Sequence, residues 1–411
     1  MKFNENINIA ALSLIDHKFR SFLTMLGIIF GTASVITMVS IGEGAKIQAI
    51  AKYKDMGISN IIIRDKDMTE TDLEQVRMKF SQGLSLRDAQ VIGEIIPGVV
   101  DVAPQTEKKI DARFGDKSSK ATMIGITPSI IKILNYQIGS GIFINNDHYD
   151  RQLKVCFLGA SVSHDLFGYE NPVGQSVKLD DQWFEVVGVM QTKSLFTETV
   201  GELASRDLNS DIYIPLSTFT KRIPKENRFS SELKQLTVKF DKSDRLEQSA
   251  AVIRSILNRH HFNNNDFSII IPFELLKQEE KETRIYNLLL ASIAAISLIV
   301  GGIGIMNIML ASVLERTSEI GIRRAIGASK VDIMNQFATE AVVMSVTGGI
   351  MGVLLGITLS FVISFGTAVH TSLTLYSIFI AFGFSVLVGI TFGYLPARKA
   401  AELKPVESIR Y

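Results

Sequence analysis

Cysteine, tryptophan and the residues of nucleotide hydrolysis are what this 411-residue chain most lacks. Cys156 is its single cysteine, so an intrachain disulfide and a cysteine-ligated metal cluster are both excluded, and folding rests on packing alone. No Gly-Lys-Ser/Thr triplet occurs: Lys117-Ser118, Lys193-Ser194 and Lys242-Ser243 follow Asp, Thr and Asp. These residues therefore hold no P-loop and cannot hydrolyse ATP by that route. His260 and His261 are adjacent and expected to diverge around a helix or strand, and no HExxH spacing is present, so no metal site is expected. Gly159-Ala160-Ser161-Val162-Ser163 lacks the second glycine of a nucleophile elbow and reads as a strand-to-helix turn. A net charge of +1 gives no support to nucleic-acid binding.

Charge is missing in another sense: it is absent from long tracts. Mean hydropathy is +0.23, and residues 22–41, 285–314 and 341–397 carry no Asp, Glu, Lys or Arg. A bilayer is crossed by about 20 apolar residues, so the first two tracts are one span each. The last would be about 85 Å long as one helix, so it must be a hairpin, turning near 366–374. No acidic or basic group lies inside a span, which disfavours ion-coupled transport and a polar path through the helices. The first tract exceeds the length of a signal-peptide core and lacks a cleavage site, so it reads as an uncleaved anchor. Lys18 and Arg20 precede the first span, Arg316, Arg323, Arg324 and Lys330 follow the second, and Arg398, Lys399, Lys404 and Arg410 follow the fourth. Basic residues stay on the cytoplasmic side, which puts both termini inside and residues 43–284 outside.

The predicted organisation is as follows. Residues 1–20 form a cytoplasmic helix that either lies on the inner leaflet or is the first turns of the span over 21–42. Residues 43–284 are an extracytoplasmic domain, with 273–284 as its stalk, and 285–314 are the second span. A cytoplasmic helix occupies 315–330; an amphipathic start and the third span occupy 331–366; the fourth span is 375–396, and 397–411 are a cytoplasmic tail. Within the outer domain, short strand-like runs alternate with helical ones, which argues a mixed α+β fold. Ser85 and Asp88 cap a helix that Pro97-Gly98 ends. A hairpin is expected over 108–126 around Gly115-Asp116, and 177–179 should pair with 184–190. The β-α-β unit over 235–271 echoes the one near residue 60, predicting one subdomain built from both ends with 106–225 inserted as a second. Trp183 with Phe184 is expected to pack a sheet, an exposed aromatic there being the alternative as a partner contact, and 191–209 to be a loop.

Two patterns carry candidate function. After the second span, Glu315, Arg316, Glu319, Arg323 and Arg324 crowd together while Ile322, Ala325 and Ile326 share one helical face, a shape suited to receiving force from a cytoplasmic partner. Gly27 and Gly31, then Gly348, Gly352 and Gly356, then Gly389 and Gly393, recur four apart and allow close helix approach, within one subunit or between two.

The stretches LTMLGIIFGTASVITMVSIGEGA (23–45), GGIGIMNIMLASVLERTSEIGIRRAIGAS (301–329) and YLPARKAAELKPVESIRY (394–411) resemble MacB/FtsX-like permeases of ABC transporters. GITPSIIKILNYQIGSG, VCFLGASVSHDLFGYENPVGQSVKL and FEVVGVM resemble that family's periplasmic core. The resemblance implies an α-helical membrane protein of the bacterial inner membrane, with four transmembrane helices and a large α+β extracytoplasmic domain of two subdomains between the first and second spans. It implies that 315–329 is the coupling helix for an ATPase that binds ATP and Mg, that this chain binds no cofactor, and that it works as a homodimer by mechanotransmission. No fused ATPase domain precedes the first span, so a separate ATPase subunit is expected, with an adaptor protein and an outer-membrane channel as further candidate partners. Export of drugs, peptides or other envelope-located substrates is the expected role; a relay activating an envelope enzyme and a lipoprotein-releasing permease share the architecture.

Overall fold

In the computed structural model of this chain, residues 18–66, 68, 69, 71, 74, 76, 78, 79, 81–134, 136–192, 207–225, 230–264, 266–367 and 371–403 are described. Most of the N-terminal helix and of the 191–209 loop, the tip of the last hairpin and the tail beyond residue 403 lie outside them. The chain divides into two compact units, Met1–Ala49 with Glu279–Tyr411, and Ile50–Gln278.

In chain order, α1 (Lys18–Met56) is followed by β1 (Asn60–Asp65), α2 (Leu86–Ile95), β2 (Val99–Phe114), β3 (Lys117–Ile126), α3 (Ile130–Leu134) and β4 (Ile138–Gly141). Then come α4 (Asn146–Asp150), β5 (Val155–Leu158), α5 (Ala160–Phe167), β6 (Ser176–Leu179), β7 (Gln182–Met190), β8 (Asp211–Pro215) and α6 (Leu216–Arg222). β9 (Gln235–Phe240), α7 (Leu246–His260) and β10 (Phe267–Ile270) lead to four final helices: α8 (Pro272–Glu315), α9 (Thr317–Ala325), α10 (Lys330–Gly366) and α11 (Leu375–Glu402).

The unit of residues 50–278 is built on one ten-stranded sheet ordered β10-β1-β9-β2-β3-β8-β5-β7-β4, with β6 pairing β2 and β7. Strands β1, β9 and β10 come from opposite ends of the segment and lie side by side, antiparallel, because their β-branched runs need the same apolar cover. Ile61, Ile63, Ile92, Val238, Ile253 and Leu257 form the core on that side. The middle of the segment has its own cores, one around Met123, Leu158, Phe184 and Ile212 and one around Phe157, Tyr213 and Met190.

Strand β2 is longer than the hairpin expected over 108–126. Its first half pairs with β9, from Val99 to Gln105, and its second half with β3, from Gln105 to Phe114. The turn falls at the expected Gly115-Asp116 and is tight, two residues long, with Gly115 at φ 58, which a glycine at the first turn position adopts without strain. Ser85 caps α2 through a reciprocal capping box with Asp88. Phe184 is buried, but Trp183, on the opposite face of β7, is 58% exposed, so the tryptophan does not pack the sheet.

The other unit holds α10, α11 and most of α1 and α8, four helices long and apolar enough to cross a membrane. A helix satisfies its backbone hydrogen bonds internally, which is why apolar runs of this length form helices in a bilayer. Glycine sets their packing within the chain. A Cβ on Gly352 would lie 2.7 Å from Thr32 Cβ and 2.8 Å from the Ile29 carbonyl oxygen, so α10 meets the α1 backbone there. Gly348 and Gly356 extend the contact along Ile28 and Ala33, while Gly27 and Gly31 abut Gly301 and Leu298 of α8.

Candidate functional site: the helix after the second span

The apolar run of α8 stops at Glu315, and Arg316, with φ −101 and ψ 17, breaks the axis before α9 begins. Ile326 and Gly327, the latter at φ 113, end α9, and a Ser329–Asp332 capping box starts α10. A nine-residue helix is thus set off by a break at each end.

Its charged residues are occupied inside the chain. Arg316 donates to both carboxylate oxygens of Glu319, at 2.8 and 3.3 Å, and reaches Glu340 of α10 at 3.5 Å. The hydrogen bond to Glu319 raises the guanidinium above its ordinary value; reciprocally, it holds the Glu319 carboxyl below the usual carboxylate range. Arg316 also lies 5.5 Å over the Phe337 ring. Arg323 bridges Glu319 at 2.6 Å and donates to Gln336 Oε1 at 2.6 Å. Arg324 donates to the carbonyls of Ala401, at 3.1 Å, and Leu403 beyond α11. Glu315 is exposed.

Under these pairs, Ile320 and Gly321 are buried, Ile320 within a cluster that includes Val313, Ile333, Phe337 and Ala400. On the other face Ile322 is 49% exposed, Ile326 is 83% exposed and Ala325 is exposed with them. The arginines fasten α9 to α10 and α11, and the apolar residues Ile322, Ala325 and Ile326 are left outward. Sequence reasoning missed Gln336, Glu340 and Phe337, which lie a turn or more into the next helix and carry no local signal.

Outside this helix, the two adjacent histidines do not diverge. His261 Nδ1 lies 2.7 Å from Asp266 and its Nε2 3.4 Å from Asp88, while His260 Nδ1 is 2.8 Å from the other oxygen of Asp88. The physical reason is that α7 ends at His260, so the chain turns between the rings. Burial pushes His261 down, but its bonds to Asp266 and Asp88 outweigh this and raise it to about 9. Burial pushes Asp88 up, and the bonds from His261, His260 and Ser85 bring it down to about 2. This is an internal ion-pair cluster; among the described residues no group of His, Cys, Asp and Glu is arranged to hold a metal.

Comparison with known proteins places the chain. A model of the MacB-like periplasmic core domain matches residues 21–256, and one of the FtsX-like permease C-terminal region matches 291–405. The macrolide export ATP-binding/permease protein MacB of Wolinella succinogenes is 35% identical over 98% of this chain and 60% of its own length. The pyoverdine export ATP-binding/permease protein PvdT of Pseudomonas syringae pv. tomato is 34% identical over 96% and 57%. The chain thus spans about 60% of the length of the curated relatives it matches. The crystal structure of the periplasmic region of MacB from Actinobacillus actinomycetemcomitans aligns with a TM-score of 0.44 at 21% identity, covering 56% of this chain and 96% of that one. With both family regions present in order and relatives above 30% identity along nearly all of it, the chain belongs to the MacB/FtsX-like family of ABC transporter permeases.

Proposed function

We propose that this chain is the permease of an ATP-driven export system and that α9 is where an ATPase, on a partner subunit or a linked domain, delivers its stroke. The observation that carries this is the outward apolar patch of Ile322, Ala325 and Ile326 on a helix whose arginines are already engaged within the chain. A helix that presents apolar residues while fastened beneath by ion pairs can pass force to the helices it is tied to. Two copies act together, each with both termini in the cytoplasm. The unit of residues 50–278 lies outside the inner membrane as two subdomains, 106–225 being inserted into the other, and moves in response by mechanotransmission. Relatives named for macrolide and pyoverdine export support an export role; drugs, peptides or other envelope-located molecules are the proposed substrates, with an adaptor and an outer-membrane channel as proposed partners.

The test is the double variant Ile322→Ser with Ile326→Ser. Removing two exposed apolar anchors from an interface costs on the order of 2 kcal/mol or more, tens-fold in affinity. Co-purification with the ATPase and export are expected to fall while the melting temperature of the permease stays unchanged. Full co-purification and export by the double variant would overturn the assignment of α9. Unchanged export-substrate resistance with impaired cell separation in a deletion strain would favour the relay over export.

A further inference from the structure

Strand β10 is an end of the sheet order, pairing only with β1 among the described residues. The ladder fixes which of its backbone groups are left over. Lys66 N–H donates to the Asp266 carbonyl, and the register runs Arg64 to Ser268 and Ile62 to Ile270, so Asp266, Ser268 and Ile270 turn their backbone groups toward β1. Alternation along an antiparallel strand then turns those of Phe267 and Ile269 away from the sheet. The Ile271 carbonyl, next in the outward series, accepts from Glu274 and Leu275 at the start of α8.

Among the described residues this edge is open rather than covered. A groove of about 680 Å³ runs along it, floored by residues 267–271 and walled by Arg254 and Asn258 of α7 and by Glu274, Leu275 and Gln278 of the first turns of α8. Arg254 is exposed and, among the described residues, has no carboxylate partner; Lys66 closes one end of the groove. Unpaired edges invite strand addition, and proteins commonly blunt them with a covering segment, a proline or a bulge. Here no proline lies within β10, and the helices flank the edge without closing it.

We propose that this groove takes an extended, acidic segment of a partner protein, which adds as a strand beside β10 and places a carboxylate against Arg254. Backbone pairing to Phe267 and Ile269 supplies affinity without sequence demands, while Arg254 selects charge. The helical walls favour a single peptide strand over the edge of a second folded copy, whose neighbouring strands would meet α7 and α8.

The probe is an eight-residue peptide alternating Val or Thr with Glu, titrated onto the full-length protein in detergent, with a Lys-for-Glu peptide and a backbone N-methylated copy as controls. Binding of the acidic peptide with slowed amide exchange at Phe267 and Ile269 is expected. At least tenfold weaker binding is expected for the N-methylated copy, for the Lys peptide, and for the acidic peptide on R254E. Ile269→Pro removes one outward N–H and should abolish binding, with some loss of melting temperature because the Ile269 side chain also packs on the core; if that variant fails to fold, the N-methylated peptide decides the point on the native protein. Equal binding of the N-methylated or Lys peptide, or no binding at all, would overturn the proposal. Protection of Phe267 and Ile269 that grows with protein concentration and needs no peptide would overturn it in favour of a second copy.

Discussion

At the scale of single residues, the buried histidine is the most consequential feature. His261 and its two aspartates join the end of α7 and the start of β10, five residues apart, to the first turn of α2, 173 residues away from His261. Removing one member of a buried pair leaves an uncompensated charge, at a cost of about 3 kcal/mol or more. His261→Gln is therefore expected to lower the unfolding free energy of the outer unit by about that amount, read by denaturant unfolding of the full chain. The pH dependence has two signs. His261 is raised to about 9, so its contribution is complete below about pH 6.5 and lost as pH climbs through 9. Asp88 is lowered to about 2, so its contribution is present above about pH 4 and lost as pH falls through 2. Melting temperature should form a plateau between those windows, and His261→Gln should remove the alkaline decline. An unchanged alkaline limb in that variant would refute the pairing. None of this was legible from adjacency alone, since divergence of neighbours holds inside a helix or strand and the two histidines straddle a helix end.

At the scale of elements, the spans were legible because an uncharged run of this length leaves few alternatives, and α8, α10 and α11 extend beyond the runs only by a turn or several into polar sequence. The glycine spacing was legible as close packing, but the sequence could not say against which helix. That depends on the α1 residues Ile29 and Thr32 lying opposite Gly352, a relation between positions more than 300 apart. Gly352→Leu would have to displace the Ile29 backbone and Thr32. Overpacking of this kind costs about 1–3 kcal/mol or more, so a clear drop in melting temperature in detergent is expected, whereas Gly304→Leu, with open space around its Cβ, should be nearly neutral. Equal effects would argue against the α1–α10 contact. The ion-pair network of α9 stayed hidden for the same reason: Arg316 and Arg323 read as surface charges until Glu340 and Gln336 of another helix are brought beneath them. Reversing Arg323 and Arg324 would consequently disturb the fastening of α9 as well as any interface, which makes Ile322 and Ile326 the cleaner positions to alter.

At the scale of the whole molecule, the proposed membrane orientation rests on the basic residues that flank the spans, and the lone cysteine makes it testable. Cys156 is fully buried in β5, and burial, with Glu185 nearby, pushes its thiol well above the ordinary range. The thiolate is the reactive form, so the unaltered chain should be silent toward maleimides. Asp116 in the β2–β3 turn and Ile326 at the end of α9 are both exposed, and neither substitution removes a buried contact. The proposed orientation puts α9, flanked by Arg316, Arg323, Arg324 and Lys330, on the cytoplasmic side; on that proposal an impermeant maleimide added to spheroplasts is expected to label Asp116→Cys at once and Ile326→Cys only after permeabilisation. The opposite order would invert the orientation and remove the ATPase from reach of α9. Labelling of the unaltered chain would show instead that the β5 core opens, and a urea series on the same protein separates that outcome by the denaturant concentration at which Cys156 becomes reactive.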